Sequence, residues 1–326
     1  MICETALYES RSFDPHHNLA VEQVLLEGVR EGQCILYLWQ NQNTVVIGRN
    51  QNAWKECRVE LLRQEGGTLA RRLSGGGAVF HDLGNLNFTF LLPTEDYDLR
   101  RQQSVIKGAC DRLGIPTELS GRNDILADGR KFSGNAFYHA GGRSYHHGTL
   151  MIDVDGEKMK RYLSPSAKKL AAKSVSSVRS RVVNLKTLNH TLTVDDMKMN
   201  LARSFSDVYG REPQVLSDND LDQDRVGRLT EKNGSGDWLY GSRLPFTSTY
   251  SDRFNWGEVT IELQVSGGAV SGVRVYSDAM DWSIPGKLEE ALSGCRFAAS
   301  NLQQAVKSAG ISDRMKDDLC GMLAEA

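Results

Sequence analysis

The sequence predicts an α+β protein made of one large domain and a small carboxy-terminal one. Three observations lead there. Strand-like runs and helical segments are interspersed through the first two thirds of the chain. Turn signals at Asp128-Gly129 and Gly141-Gly142 space residues 125–155 as a meander of three antiparallel strands. Asp, Gly, Asn and Ser accumulate over 217–245, and a second strand-and-helix pattern of about 80 residues follows. The boundary is placed at 244/245, giving domains 1–244 and 245–326.

Taken in order, Asp14-Pro15 offers an N-cap with proline at the first helical position. A helix through Gly28 follows, with Leu19, Val24 and Leu25 among its apolar positions. CILYLW (Cys34–Trp39) and TVVIG (Thr44–Gly48) are strand-like runs joined by the polar turn NQN. NAWKECRVELLRQEGG reads as a helix ending at its glycines. AVFHD and NLNFTFLLP are again strand-like, separated by a Gly-Asn turn. Residues 98–113 read as a helix that stops at Gly114, and the meander comes next. The polar, basic stretch Ser164–Leu185 interrupts the pattern before a helix near 193–209. FNWGEVTIELQVSGGAVSGVRVYSD reads as a hairpin or short meander, with helical residues to the end. The chain has no repeats and no low-complexity tract.

The 326 residues are 40% hydrophobic and 25% charged, ordinary values for a soluble globular protein. A formal net charge of -2 argues against a general nucleic-acid or membrane-surface binder, which would carry a basic excess. The six cysteines are scattered, with no CxxC pair and no zinc-like spacing, as in a reducing compartment. No apolar run approaches ~18 residues, and the first twenty residues lack signal and presequence layouts. The expected location is the cytoplasm.

RRLSGGGAVFHDLGN (Arg71–Asn85) is the most informative stretch. Consecutive glycines let backbone N–H groups approach an anion together, and the flanking Arg71 and Arg72 add forked donors for phosphate or carboxylate. The plain alternative is a mobile linker, but an apolar run follows at once. The loop matches neither GxxxxGK[ST] nor GxGxxG, where Phe80 stands in place of the last glycine. In SGRNDILADGRKFSGN (Ser120–Asn135), Asp124 is a candidate Mg²⁺ ligand and Lys131 a point charge able to bridge phosphate and carboxylate. An ordinary hairpin flanked by an exposed Asp and Lys fits the same letters. His146 and His147 are adjacent on a strand and point to opposite faces, so one lines a pocket and the other packs or is solvated. The run with Lys168, Lys169, Lys173, Arg179 and Arg181 reads either as a solvated charged surface or as a lid over a polyanion. GxSxG is absent, and no cysteine falls inside these motifs.

TVVIGRNQNAWKEC, LARRLSGGGAVFHDLGNLNFTF, SGRNDILADGRKFSGNAF, HHGTL and KKLAAKSVSSVRSRVVNL resemble, in order, the successive blocks of lipoate–protein ligase. They span nearly all of the first 190 residues, and the remainder resembles the accessory domain of the long bacterial ligases. The resemblance implies the biotin/lipoate ligase fold, a mixed, largely antiparallel sheet flanked by helices. It also implies a two-step reaction, in which lipoate and Mg-ATP give lipoyl-AMP and pyrophosphate, and the lipoyl group then passes to a carrier lysine. The implied carriers are lipoyl domains of 2-oxoacid dehydrogenase E2 subunits and the glycine cleavage H protein. ATP and Mg²⁺ enter as a substrate complex, with no tightly bound prosthetic group, no nucleic acid and a monomeric chain. By the same resemblance, Arg72 and Gly77, Ala78, Val79 and Phe80 contact the adenylate, and Lys131 contacts both ATP and lipoate. Asp124 carries Mg²⁺, while Arg71, Ser74, Gly75, Gly76, His81 and His147 belong to the lipoate pocket, and the KKLAAKSV run folds over the adenylate. Val79, Phe80 and the TVVIG strand are candidate walls for the apolar tail. The competing readings are a lipoyltransferase fed with preformed lipoyl-AMP, a carrier-to-carrier octanoyl or lipoyl transferase working through a cysteine, a biotin–protein ligase, and a non-catalytic sensor of lipoyl-AMP or carrier.

Overall fold

The structure is a computed structural model that describes residues 2–120, 124–164, 182–240 and 246–324. Helix α1 (Pro15–Gly28) begins as predicted: the Asp14 carboxylate accepts the His16 N–H, and Pro15 occupies a position that needs no donor. Eight strands form the main sheet: β1 (Glu4–Glu9), β2 (Gln33–Trp39), β6 (Asn85–Pro93), β7 (Thr117–Ser120), β8 (Asp124–Ala127), β9 (Arg130–Ala140), β10 (Arg143–Met151) and β11 (Gln214–Val215). Their order is β11-β1-β2-β6-β10-β9-β8-β7. β1 pairs in parallel with β2 and β11, and every other pairing in this sheet is antiparallel. The predicted meander is β8–β9–β10.

A second, three-stranded sheet holds β3 (Thr44–Ile47) between β4 (Thr68–Arg71) and β5 (Val79–His81). Strands read as sequence neighbours therefore part company, with β2 and β6 in the large sheet and β3 and β5 in the small one. The NQN turn explains the split. Asn41 is fully buried, accepting from the Asn18 amide and contacting His81, so the segment is an interior crossing between sheets.

Each face of the large sheet is covered. Phe88 and Phe90 point to one side, where α4 (Leu99–Arg112) and α6 (Val194–Tyr209) contribute Ile106, Leu201 and Phe205. Leu91, one residue out of phase, joins Tyr37, Trp39 and Tyr145 under α1 on the other side. Helix α7 (Gln223–Gly234) packs Val226 and Leu229 into that same cluster. The polar stretch 217–245 is thus partly helical cover of the large domain, continued by α8 (Gly236–Tyr240). The proposed 244/245 boundary lies outside the described residues. The single helix expected after Asn52 is two, α2 (Ala53–Glu56) and α3 (Val59–Gln64), because Cys57 between them takes an extended conformation and bridges Leu163 beyond α5 (Gly156–Tyr162).

In the carboxy-terminal unit the predicted stretch is the hairpin β13 (Gly257–Ser266) and β14 (Ala269–Ser277), and β12 (Ser248–Phe254), which precedes that stretch, pairs with β13 to complete a meander with three helices. These are α9 (Ile284–Leu292), α10 (Ala299–Ser308) and α11 (Asp313–Met322), closing a core of their own. The segment after β14 rests on the glycine loop. Gly76 N–H donates to the Ala279 carbonyl at 3.1 Å, Ser277 N–H to that of Asn50 at 3.0 Å, and the Asn50 amide to that of Trp282 at 2.7 Å. The Trp282 ring also stacks on Tyr138 and lies 4.7 Å from the Arg49 guanidinium.

Candidate functional site

The glycine loop is shaped from beneath by Arg72. Its Nε donates to Ser74 Oγ at 3.0 Å, and its Nη2 donates to the carbonyls of Gly75 at 2.7 Å and Gly77 at 2.8 Å. A trans peptide points its N–H opposite to its C=O. Drawing both carbonyls to one guanidinium therefore turns the Gly76 N–H, which is bonded to the Ala279 carbonyl, and the Ala78 N–H away from Arg72, toward the opposite side of the loop. Gly76 adopts φ +86°, which favours glycine, and Gly48 is required opposite because a Cβ there would lie 2.2 Å from the Gly76 oxygen. Arg72 is 6% exposed, and burial pushes its pKa down to about 10. It acts on the backbone that would meet an anion.

Arg71 has a different task. It donates to the carbonyls of Gly48, Arg49, Gln51, Trp238 and Leu239, tying the turn after β3 to α8. It lines a cavity of about 500 Å³ with Arg49, Trp238, Tyr276, Trp282 and Lys287, a space bordered by neither Lys131 nor the residues from Ser74 to Phe80.

Lys131 and Asp124 are brought together across the β8–β9 hairpin, with Nζ 2.6 Å from Oδ1 and each side chain about a third exposed. The lysine chain lies along Gly134: a Cβ at that position would be 3.2 Å from both Cε and Nζ. Thr149 Oγ1 accepts the Gly134 N–H on the same side. Thr149 and His147 are two apart on β10 and share a face, about 7 Å from one another along the strand. Lys131 and His147 thus belong to the same side of the sheet as α1 and the glycine loop. After the basic stretch the chain returns beside Lys131, whose carbonyl accepts the Val183 N–H at 2.9 Å. Asn123 and the whole run from Lys168 to Arg181 lie outside the described residues.

The two histidines of β10 point to opposite faces of the sheet, as their adjacency predicts, and both are buried. His146 faces α4, between Gln102 and Asn135, and burial pushes its pKa down to about 3. His147 faces α1, with Nδ1 2.8 Å from Glu22 and Nε2 2.8 Å from Ser74 Oγ. His81 is buried, its pKa lowered to about 3 by burial and then by Arg72 and His147. The Asn41 amide group donates to its Nδ1, which leaves the proton on Nε2, an atom with no hydrogen-bond partner among the described residues. The β5 side chains alternate: Val79 joins the cluster of Tyr37, Trp39 and Tyr145, whereas the Phe80 ring packs on Tyr162. Glu22 and Thr89 were missed from the sequence. Glu22 had a signal, a carboxylate on the α1 face that carries Leu19, Leu25 and Leu26.

The chain matches the lipoyl protein ligase A/B catalytic domain over residues 14–206, and it belongs to that family. Residues 244–322 match the bacterial lipoate protein ligase C-terminus. It is 40% identical over 288 residues to the lipoate-protein ligase A of Blochmanniella pennsylvanica, covering 86% of this chain and 85% of that one. Among solved structures, P. falciparum LipL1 in complex with lipoate superposes with a TM-score of 0.86 at 24% identity, covering 99% of this chain and all of the other. A lipoate-protein ligase A bound with ATP gives a TM-score of 0.62 at 25% identity over 74% of this chain and 99% of that one. A bipartite ligase of Thermoplasma acidophilum, described with its E2 lipoyl domain, gives 0.64 at 24% identity over 74% of this chain and 98% of the other.

Proposed function

We propose that the chain joins lipoate to lysines of lipoyl carrier domains in two steps. A lipoate carboxylate oxygen bonds to the α-phosphorus of ATP as pyrophosphate leaves. A neutral carrier lysine then forms the amide as AMP and a proton depart. The first step brings two anions together, so oriented donors and a mobile cation are what the site must supply. The single observation that carries the reading is the pairing of these on one face: Lys131 over Gly134, and a loop whose Ala78 N–H Arg72 turns outward through the Gly77 carbonyl.

In this reading Lys131 leaves Asp124 for the reacting oxygens, and the backbone from Gly77 to Phe80 receives the adenylate. The apolar tail runs along Val79, Trp39, Tyr37 and Tyr145. The unpartnered Nε2–H of His81 is the buried donor offered to the acyl group. Asp124 suits Mg²⁺ held mainly by ATP phosphates and water, an arrangement that needs only one or two carboxylates. The carriers are E2 lipoyl domains and the glycine cleavage H protein. Among the described residues no helix is long and apolar enough to cross a membrane, in keeping with a cytoplasmic reaction.

A cysteine-thioester transferase fits less well. Burial pushes the thiols of Cys34, Cys57 and Cys110 up to about 12, and they are packed inside hydrophobic cores. The test is lipoate-dependent pyrophosphate release from Mg-ATP without carrier. Wild type releases pyrophosphate, and Lys131→Ala loses at least ~100-fold of the rate. Transfer from supplied lipoyl-AMP without any release by wild type would identify a transferase, and silence in both assays a sensor.

A further inference from the structure

Behind the glycine loop runs a buried hydrogen-bond chain, of which the reaction described above uses only Arg72 and the Trp39 ring. Arg72 Nε donates to Ser74 Oγ at 3.0 Å, and Ser74 Oγ lies 2.8 Å from His147 Nε2. His147 Nδ1 lies 2.8 Å from Glu22 Oε1, which also accepts from Thr89 Oγ1 at 2.8 Å, and Thr89 Oγ1 accepts the Trp39 indole N–H at 3.1 Å. All six side chains are buried.

The direction of each bond follows from what each group can do. An indole and a guanidinium only donate, and a carboxylate only accepts. Trp39 gives its proton to Thr89, so the Thr89 hydroxyl proton goes to Glu22. With Ser74 Oγ accepting from Arg72, its own proton is free to go to His147 Nε2, which places the imidazole proton on Nδ1, pointing at Glu22; the reverse direction would make Ser74 Oγ accept twice and send its proton out of the chain. Both arms of the chain end on the same carboxylate oxygen.

We propose that Glu22 and His147 are positioning residues for adenylation. By fixing the direction of the Ser74 hydroxyl they hold Arg72 in the pose that collects the Gly75 and Gly77 carbonyls, and so set the course of the loop and the aim of its Ala78 N–H. Ser74 is where this control enters the loop, because its backbone is fixed as well: its carbonyl accepts the Arg49 N–H at 2.9 Å. Glu22 is also the carboxylate that supports the charged form of buried Arg72 from within the same cluster. Without it, the preference for the His147 proton on Nδ1 is lost, and a proton on Nε2 would make Ser74 Oγ accept twice and release its own proton to turn away from the chain. The chain touches no reacting atom and acts through the loop alone.

The inference rests on the ligase reading, and two measurements keep the two separable. The first is a double-mutant cycle on lipoate-dependent pyrophosphate release with Glu22→Ala, Ser74→Ala and the pair. Glu22→Ala is expected to lower kcat by ~10–100-fold, the size of one lost bond to a charged group, with the KM for lipoate changed less than about threefold. In the Ser74→Ala background the same substitution should cost less than about threefold more. Glu22→Gln, which keeps an accepting oxygen in place, should recover to within about fivefold of wild type. Losses that multiply, a Glu22→Ala enzyme as fast as wild type, or Glu22→Gln as poor as Glu22→Ala would each overturn the proposal. The second measurement is the ¹⁵N NMR signature of His147 in the wild-type protein without substrates. A proton on Nδ1 supports the chain, and a proton on Nε2 overturns it. If wild type releases no pyrophosphate, the ligase reading fails and the histidine tautomer still decides the chain.

Discussion

Gly75→Ala would introduce a carbon 2.3 Å from the Ala279 carbonyl oxygen and 2.7 Å from that of Met280. Both are backbone atoms, so neither can rotate aside as a side chain would, and ordinary contact needs about 3.5 Å. Relief requires the 279–280 segment to retreat by about an ångström, which takes the 3.1 Å bond from Gly76 out of hydrogen-bonding range. Against this stand the other contacts of the docked unit: two hydrogen bonds through Asn50, the Arg49–Trp282 contact and the Trp282–Tyr138 stack. At about 1 kcal/mol apiece these hold the carboxy-terminal unit with roughly 4 kcal/mol, so it should loosen and stay attached. The lost bond and the strain on its neighbours weaken docking by about 1.5–3 kcal/mol. Amide exchange followed by mass spectrometry should read this as ~10–100-fold faster exchange in peptides covering 48–52 and 275–284. Exchange in the β13 core should not change. Equal protection of both interface peptides in mutant and wild type would refute the close approach of the two units.

Gly134→Ala puts a methyl group 3.2 Å from the Lys131 amine, so pyrophosphate release should fall ~5–30-fold while thermal stability holds or rises, because glycine in a strand interior is itself unfavourable. Arg71→Ala strands the five carbonyls that the guanidinium now serves, and urea titration should show a loss of about 3–5 kcal/mol. His81 and His146 stay neutral when folded, with pKa values lowered to about 3, but take up protons near pH 6.5 when unfolded. Their contribution is complete above pH 6.5 and is lost progressively as pH falls toward 3. At pH 5.5 each should cost about 1.4 kcal/mol, and His146→Gln should flatten that part of the urea-midpoint profile.

Local signals carried far in this sequence because several elements have unambiguous chemistry at their ends. Asp14-Pro15 fixed the start of α1, and the Asp128-Gly129 and Gly141-Gly142 turns fixed the meander. The sheet assignment was hidden, since nothing in NQN distinguishes an exposed hairpin turn from a buried crossing. Only the side chains that Asn41 meets, Asn18 and His81, decide that, and they are 23 and 40 residues away. The two short helices around Cys57 read as one because the strand-like contact that splits them comes from Leu163. In the site, Lys131, Asp124, Ser74 and His147 were legible as chemistry-bearing letters in motifs. The separate tasks of Arg71 and Arg72 were not: adjacent on the chain at the end of β4, they emerge on opposite sides and bind different sets of carbonyls. Glu22 went unnoticed because a lone carboxylate in a helix is ordinarily a solvated one.

The clamp that Arg72 places on Gly75 and Gly77 bears on when the cost of order falls. A run of three glycines is the most expensive kind of segment to immobilise, and a loop free to wander would charge that entropy to every ligand it received. Here three backbone and hydroxyl contacts to one buried cation fix the run as the protein folds. In the proposed reaction an incoming anion would meet a loop already ordered, so its affinity would be set by contact rather than by the freezing of flexible chain. Loosening that clamp should make binding more unfavourable in entropy well before it alters the fold.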